Sequence, residues 1–199
     1  MSHYFDNSPS AASQPETVEV LLPGDAFDYV SDAGVFSHGQ LDAGTKILLS
    51  DAPAPPSTGT FLDLGCGAGP IALALARRSP AAIVWAIDVN QRALELTRSN
   101  AHRLGLDNVR VGEPDDVPDD VVFDLIWSNP PIKVGKDVLH RMLTRWLARL
   151  SANGHAILVV NKHLGSDSLA RWLGTEGYEV ERLGSRRGYR LLDVWRAST

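Results

Sequence analysis

The sequence predicts an α/β fold in which a mostly parallel sheet carries helices on both faces. From residue 60 onward, short apolar runs typical of strands alternate with longer segments of helical periodicity. Only residues 185–187, with at most a flanking glycine, connect the last two apolar runs. A connection this short cannot cross over a sheet, so those two strands must be antiparallel. We therefore expect one reversed strand, at the end of the chain.

Turn and cap residues mark the N-terminal elements. Pro23-Gly24 separates two short apolar runs, and Asp42 stands near the start of a segment with helical periodicity. The segment 51–59 contains three prolines and forms a linker into the main sheet. This part of the chain is predicted to contain strands over 18–22 and 27–30 and a helix over 41–50.

The alternating pattern marks the remaining elements. Pro70 in a first helical turn, with Arg77 and Arg78 in the last, predicts a helix directly after the first core strand. The other apolar runs and periodic segments are assigned by their spacing. The predicted order is strand 60–64, helix 69–78, strand 82–87, helix 91–104, strand 108–111, strand 121–127, helix 136–150, strand 154–161, helix 166–175, strand 178–184 and strand 188–196.

Length and composition indicate one domain in a reducing compartment. The chain has 199 residues, 44% of them hydrophobic, and no apolar run long enough to span a bilayer. We expect a flexible tail over 1–17 without signal-peptide features, and a single domain over 18–199, divided into an N-terminal segment 18–58 and a core 59–199. The one cysteine excludes an internal disulfide and fits the cytoplasm. The six histidines lack ligand spacing, so no metal is expected.

The most informative segment is Asn129-Pro130-Pro131-Ile132, which follows the predicted strand 121–127. Two prolines end a strand and stiffen the backbone at the edge of the sheet where α/β proteins bind ligands. The Asn129 amide and the Pro130 carbonyl can then accept the two N–H bonds of a planar NH₂ group. Such acceptors favour the pyramidal geometry that this nitrogen needs when it attacks. A simple turn is the alternative, because Asn-Pro is also common in loops.

A glycine-rich turn and two acids lie upstream. The turn, residues 65–69, joins the first core strand to its helix and allows a ligand to lie against the backbone, although dinucleotide-binding proteins have similar turns. Asp63, inside the strand, suits a cationic or amino-bearing ligand better than a pyrophosphate. Asp88, at the tip of the next strand, can accept hydrogen bonds from ribose hydroxyls. Together with the Asn-Pro-Pro turn, these residues favour S-adenosyl-L-methionine over a nicotinamide or flavin dinucleotide.

These motifs resemble those of class I S-adenosylmethionine-dependent methyltransferases that act on nitrogen. Residues 31–45, SDAGVFSHGQLDAGT, are similar to the N-terminal motif of the methyltransferase small-domain (MTS) family, which includes ribosomal RNA guanine-N2 methyltransferases. The resemblance is to the single-domain form and implies a seven-stranded, mostly parallel Rossmann-like methyltransferase sheet with an antiparallel last strand. It implies S-adenosyl-L-methionine as cofactor and S-adenosyl-L-homocysteine as product. Ile132 departs from the aromatic residue that is usual in enzymes acting on adenine or glutamine.

The resemblance also implies roles for individual residues. Asn129 and Pro130 are the expected catalytic residues, and Asp115 is expected near the adenine, with Glu113 and Asp116 as competitors for that place. The N-terminal motif is expected to close over the cofactor, although a helix cap with packing is the alternative. The implied cofactor-binding residues are Phe36, Asp42, Gly44, Thr45, Asp63, Gly65, Cys66 through its backbone, Gly67, Gly69, Asp88, Val89, Asn90, Asp115 and Asn129.

The charges of the chain are unevenly distributed. Residues 1–124 hold 7 basic and 18 acidic residues, a balance of −11, whereas residues 125–199 hold 12 and 6, a balance of +6. Phosphate binding depends on a local basic surface and not on total charge, so the second part is expected to contact RNA, unless the two faces differ by chance. The regular spacing of Arg141, Arg145 and Arg149 is read as a solvated helix face. The expected substrate residues are Pro131, Ile132, Lys133, Lys136, Arg186 and Arg187, with Arg190, Lys162 and His163 as further candidates.

The resemblance implies methylation of the exocyclic N2 amine of a guanine in 16S ribosomal RNA as the expected reaction. The target base must be single-stranded or flipped out of a duplex to reach such a site. Free ribosomal RNA or the small ribosomal subunit is the expected partner, with no membrane and no metal. Methylation of a protein glutamine, and a non-catalytic RNA-binding module with this fold, are the alternatives.

Overall fold

A computed structural model of the chain describes residues 11–197. Strands and helices follow one another in the order that the sequence predicts. The first elements are β1 (Glu16–Leu22), β2 (Asp25–Ser31), α1 (Ala43–Asp51), β3 (Thr58–Leu64), α2 (Pro70–Arg78), β4 (Ala81–Ile87) and α3 (Gln91–Arg103). The later elements are β5 (Val109–Gly112), β6 (Phe123–Ser128), α4 (Lys136–Leu147), β7 (Leu150–Asn161), α5 (Ser166–Thr175), β8 (Tyr178–Arg186) and β9 (Tyr189–Arg196).

Seven strands form the central sheet in the order β5-β4-β3-β6-β7-β9-β8. Every pair is parallel except the two that involve β9, which is antiparallel to both β7 and β8. The predicted fold class and its reversed last strand are therefore confirmed. The reversed strand lies inside the sheet, between β7 and β8, and not at its edge.

The sheet changes direction at its centre. From β3 the chain moves outward through β4 to β5, and from β6 it moves the opposite way through β7. Asp63 of β3 and Trp127 of β6 are register partners, so the two segments that follow these strands leave the sheet side by side. A crevice at such a switch point is where open α/β sheets bind ligands. The glycine-rich turn and the Asn-Pro-Pro turn are thereby neighbours.

The helices cover both faces of the sheet, as the sequence predicts. One apolar core, which contains Phe61 and Trp127, packs under α1, α2 and α3. The other, which contains Phe123 and Trp146, packs under α4 and α5. Within residues 11–197, no helix is long and apolar enough to cross a membrane.

The start of β7 differs from the prediction, which placed it at residue 154. Leu150 already pairs with Phe123, and the register shifts by a bulge before the regular ladder that begins at His155. A Cβ on Gly154 would lie 2.6 Å from the carbonyl oxygen of Phe123, so only glycine permits this close approach. Helix α4 consequently ends at Leu147, three residues earlier than predicted.

The hairpin β1–β2 lies outside the central sheet and is held by α3. The buried Asn100 accepts from the Val30 amide (2.8 Å) and donates to the carbonyls of Val30 (2.9 Å) and Ala68 (3.0 Å). The structure also describes residues 11–17, which precede the predicted start of the domain at residue 18. Strand β1 starts at Glu16, two residues earlier than predicted, and Ser13 donates to the Asp32 carboxylate. Residues 1–10 of the expected flexible tail lie outside the described residues.

Replacement of Asn100 by alanine should destabilise the protein. The change leaves one buried N–H and two buried carbonyls without their partner, at a cost of about 2–4 kcal/mol in the free energy of unfolding. Urea denaturation measures the change, with Asn153→Ala on an exposed part of β7 as the control. A loss equal to that of the control would mean that Asn100 does not carry this connection.

Candidate active site

A cavity of about 310 Å³ opens above the switch point, at the carboxyl ends of the parallel strands. This volume is in the range of small-molecule sites. The wall brings together many of the residues that the sequence predicts. These are Phe36, Asp42, Gly65, Gly67, Asp88, Val89, Asn90, Asn129, Pro130, Pro131 and Ile132.

The glycine-rich turn forms one side of the cavity. The N–H groups of Gly65 and Cys66 both donate to the Ile87 carbonyl at 2.9 Å, which holds the turn against the end of β4. Gly65 and Gly67 have φ of 78° and 55°, and a Cβ on either would meet no atom closer than 3.9 Å. Their free faces can therefore lie directly against a ligand. Gly69 serves packing instead, because a Cβ there would lie 2.9 Å from Thr97.

Asp88 connects the glycine-rich turn to the start of α3. Its Oδ2 accepts from the Gly67 N–H and its Oδ1 accepts from the Asn90 N–H, both at 2.9 Å. Burial raises the pKa of this carboxyl above its ordinary value, and the backbone hydrogen bonds oppose that shift. Each oxygen retains a further acceptor position, so Asp88 can bind two adjacent hydroxyls of a ribose.

Asp63 is fully buried and is not among the residues that line the cavity. Its Oδ2 accepts from the Ala72 N–H at 2.9 Å, whereas its Oδ1 has no hydrogen-bond partner among the described residues. Burial raises the pKa of Asp63 to about 8, and the charge of Asp88 acts in the same direction. Asp63 is predicted to face the cofactor directly or through water, and the structure places it in the layer beneath the wall, together with Cys66 and Gly69.

Asn129 is oriented by the N-terminal motif. Its Nδ2 donates to the Asp42 carboxylate at 2.7 Å and to the Thr45 hydroxyl at 3.0 Å. A carboxylate only accepts hydrogen bonds, so the NH₂ group of Asn129 must face Asp42 and its Oδ1 remains an acceptor for a ligand. Asp42 also caps α1 through the Thr45 N–H. Of the four residues predicted to close over the cofactor, Phe36 and Asp42 line the cavity, whereas Gly44 and Thr45 lie outside its wall.

The two prolines after Asn129 shape the next turn. Pro131 has φ −75° and ψ 75°, and the Ile132 N–H donates to the Pro130 carbonyl at 2.8 Å, which defines an inverse γ-turn. The Pro130 carbonyl, which the sequence predicts as an acceptor for the ligand, therefore already accepts one hydrogen bond within the chain. A carbonyl oxygen has two lone pairs, so Pro130 can still accept one further hydrogen bond.

The loop of the N-terminal motif is fastened to α3. The Asn90 side chain accepts from two N–H groups at the start of this helix and donates to the Gly34 carbonyl at 2.9 Å. Arg92 donates to the Ala33 carbonyl at 2.6 Å. These bonds keep Phe36, whose surface is 39% exposed, at the mouth of the cavity.

Several predicted residues lie away from the cavity wall. The side chain of Asp115 is 91% exposed and pairs with Arg145 at 2.8 Å, while its neighbour Pro114 lines the cavity. Arg186 pairs with Asp51 on α1 at 3.0 Å. Lys136 and Arg187 are exposed and form no ion pair with the described residues. The side chain of Lys133 lies outside what the structure describes.

The sequence did not predict about half of the cavity wall. Most of these residues are apolar and come from strand ends or from α4, so no local pattern distinguishes them from core residues. Asn161 could have been found, because it ends a predicted strand at the active-site edge. The unpredicted residues are Val35, Leu64, Ile87, Ala93, Pro114, Met142, Trp146, Val159, Asn161 and Tyr189.

The cavity fits S-adenosylmethionine on the chemistry of its wall. The open glycine faces offer close backbone contact, and a nearby cationic ligand would favour ionisation of the buried Asp63, whose Oδ1 has no hydrogen-bond partner among the described residues. Asp88 provides acceptors for ribose, and Val89, Pro114 and Trp146 provide apolar surface for a flat base. No group of three or more metal-ligating side chains occurs within residues 11–197. Fold and site together define an S-adenosylmethionine-dependent methyltransferase.

Comparison with known proteins gives the family. Residues 26–193 match the family model of the methyltransferase small domain, and the chain belongs to this family. The uncharacterized protein YbxB of Bacillus subtilis is 35% identical over 96% of each chain. The ribosomal RNA small subunit methyltransferase C of Shewanella amazonensis is 31% identical over 92% of this chain and 53% of its own length. The chain thus spans about half the length of this second relative.

A solved structure supports the fold. The 16S rRNA N2 G1207 methyltransferase of T. thermophilus, determined in complex with AdoMet and guanosine, superposes with a TM-score of 0.73. It is 22% identical in sequence, and the match covers 94% of this chain and 51% of that one.

The buried carboxyl of Asp63 should make stability depend on pH. Its ordinary pKa is 3.8 and its folded pKa is about 8, so between these values the folded state holds a proton that the unfolded state lacks. Stability therefore falls as pH rises through this window. The Asp63→Asn variant does not titrate, and its stability advantage should grow by about 1.4 kcal/mol per pH unit.

Urea denaturation of the cofactor-free protein at pH 5, 6, 7 and 8 measures this advantage. Asp107→Asn, at an exposed position, is the matched control. A difference between wild type and Asp63→Asn that stays constant over this range would show that Asp63 is ionised in the folded state.

Proposed function

We propose that this methyltransferase transfers the methyl group to the exocyclic N2 amine of a guanine in 16S ribosomal RNA. The observation that carries the proposal is the orientation of Asn129. Its NH₂ group is bound by Asp42 and Thr45, which presents its Oδ1 as an acceptor beside the Pro130 carbonyl. Two acceptors at the end of one strand suit a nitrogen that has two N–H bonds.

These acceptors act on the geometry of the attacking amine. The nitrogen of an aryl amine is planar because its lone pair is delocalised, and it must become pyramidal to attack. Hydrogen bonds from its two N–H groups to Asn129 and Pro130 strengthen as positive charge develops on that nitrogen. Bound S-adenosylmethionine supplies a methyl group on a cationic sulfonium, so the amine needs orientation more than deprotonation. The amine can lose its proton after the transfer.

The relatives support a base in ribosomal RNA as the acceptor. A relative 31% identical to the chain is named ribosomal RNA small subunit methyltransferase C, and other relatives with that name are up to 38% identical. The structural neighbour is described as an N2 methyltransferase bound to guanosine. The Asn129 arrangement provides the chemistry that such an acceptor requires. A ribosomal substrate would place the reaction in the cytoplasm.

Charge around the cavity mouth supports an RNA substrate. Lys136, Lys162 and Arg187 follow β6, β7 and β8 at the active-site edge of the sheet and are exposed. We assign phosphate binding to these three, with Lys133 beside them, because phosphate contacts position a nucleic acid without reading its sequence. Arg186 and Arg190 pair with Asp51 and Asp167, so their role in RNA binding would first require these ion pairs to break. The opposite side of the mouth, near Asp88 and the loop that follows β5, is acidic.

Loss of the Asn129 acceptor should abolish most of the turnover. Asn129→Ala is expected to bind S-adenosylmethionine as wild type does and to transfer methyl at least about a hundredfold more slowly, the scale of one lost transition-state hydrogen bond. Calorimetry measures cofactor binding. The acceptor is small-subunit RNA from a strain that lacks the protein, and mass spectrometry of its nucleosides identifies the product.

N2-methylguanosine is the expected product, and Asn153→Ala is the control for asparagine loss at a distant position of β7. A methylated adenosine or a methylated glutamine in place of N2-methylguanosine would contradict the proposed acceptor. An Asn129→Ala variant with wild-type turnover would contradict the proposed role of this amide.

Reversal of charge at the cavity mouth should weaken RNA binding in a salt-dependent way. Each lost phosphate contact reduces the slope of log K against log salt by about 0.7–0.9. We expect Lys136→Glu and Arg187→Glu each to reduce the slope, as measured by fluorescence anisotropy between 50 mM and 200 mM salt. Arg110→Glu, at the opposite edge of the sheet, is the control and should leave the slope unchanged. Equal slopes for all variants would place the RNA elsewhere.

A further inference from the structure

Two polar residues on the cavity wall form no hydrogen bond with Asn129 and are not among the residues expected to hold the cofactor. Asn161 ends β7 and Tyr189 begins β9, and the two are register partners across these antiparallel strands. Asp88 directly follows β4, which lies on the other side of β6 in the strand order. Two strand spacings of about 4.8 Å separate β6 from β4, and two separate it from β9. Asn129 therefore divides the cavity into a cofactor half and a second half.

The ring of Tyr189 is fixed relative to Asn129. A Cβ on Gly44 would lie 2.8 Å from the Cε1 of Tyr189, so the ring packs on the first turn of α1 only because residue 44 is glycine. The same turn carries Asp42 and Thr45, which bind the Asn129 amide. An aromatic surface and the catalytic acceptor are thus held by one helix end. Tyr189 packs against the core under α1, α2 and α3, whereas Ile132 packs against the core under α4 and α5, so the two residues reach the cavity from opposite faces of the sheet. Tyr189 thus offers an aromatic surface in a cavity where residue 132 is aliphatic.

Asn161 presents a hydrogen-bond donor. Its Oδ1 accepts from the His163 N–H at 2.9 Å, and its Nδ2 forms no hydrogen bond with the described residues. The cavity therefore displays an acceptor, Oδ1 of Asn129, and a donor, Nδ2 of Asn161. A guanine N2 amine has the complementary pattern, because the ring nitrogen N3 beside it is an acceptor.

We propose that Tyr189 and Asn161 form the subsite for the acceptor base. The base stacks on the Tyr189 ring, and the Asn161 amide donates to the N3 of guanine next to the reacting amine. This inference rests on the proposed function. In this arrangement, the hydrogen bond from Asn161 determines which edge of the base faces the methyl donor. Stacking on Tyr189 contributes most of the affinity for a flipped-out base.

Variants of Tyr189 test the stacking surface. Tyr189→Leu should raise the KM for RNA by roughly ten- to hundredfold, as expected for one lost stacked base, with the calorimetric Kd for S-adenosylmethionine unchanged. Tyr189→Phe retains the ring and should restore the wild-type KM. Tyr178→Leu, at the other end of the same hairpin, is the control for loss of an aromatic residue from this hairpin. A wild-type KM in Tyr189→Leu would overturn the stacking role.

Substitution of one atom in the RNA tests the Asn161 contact. In an oligonucleotide whose target is 3-deazaguanosine, the acceptor N3 is replaced by carbon. Wild type should lose activity on this RNA by about the factor that Asn161→Ala loses on guanosine. The two changes together should cost no more than either alone, because they remove the same hydrogen bond. Asn153→Ala is the control for asparagine loss.

The outcomes separate this inference from the proposed function. A wild-type enzyme that forms no N2-methylguanosine contradicts both. A wild-type enzyme that forms N2-methylguanosine, combined with independent and additive losses from Asn161→Ala and the deaza substitution, overturns only the subsite.

Discussion

The hydrogen bond between the Asn129 amide and the Asp42 carboxylate is the contact on which the active site depends. It joins the end of β6 to the cap of α1, two points that are 87 residues apart in the chain. Because Asp42 also accepts from the Thr45 N–H, one carboxylate both starts a helix and sets the direction of the Asn129 amide. A helix cap ordinarily contributes about 1 kcal/mol to stability. Here the same cap also determines that the Oδ1 of Asn129 is left as an acceptor.

The glycine-rich side of the cavity lies beside two carboxyl groups whose ionisation burial disfavours. Asp63 and Asp88 lie on neighbouring strands beneath and beside the glycine-rich turn, and burial raises the pKa of both. Backbone N–H groups bind three of their four oxygens, and the Asp63 Oδ1 is left over among the described residues. Ionising a buried carboxyl is costly in the free protein, and a cationic ligand would offset part of that cost.

Some basic residues bind other parts of the protein, and others are exposed at the cavity mouth. The sequence does not distinguish these two groups. The sequence predicts that Arg141, Arg145 and Arg149 lie on a solvated helix face. Arg141 and Arg145 are exposed on α4, whereas Arg149 follows the helix and is half-buried. Arg145 binds Pro114 and Asp115, and Arg149 binds the carbonyls of Pro118 and Val121, so both hold the acidic loop that borders the cavity. Guanidinium groups suit this role because they carry several donors in a rigid plane. The basic residues proposed to bind phosphate are those that follow β6, β7 and β8.

Local sequence patterns predict the elements, the parallel sheet with its reversed last strand, and the two turns that border the cavity. These features depend on local periodicity, on proline and glycine, and on the length of one connection. Three further features follow from the folded chain alone: β9 lies between β7 and β8, Asp42 and Thr45 bind Asn129, and Asn161 and Tyr189 line the cavity. Each of these depends on contacts between residues far apart in the chain. No local pattern specifies them, because they follow from how strands pair and how helices pack.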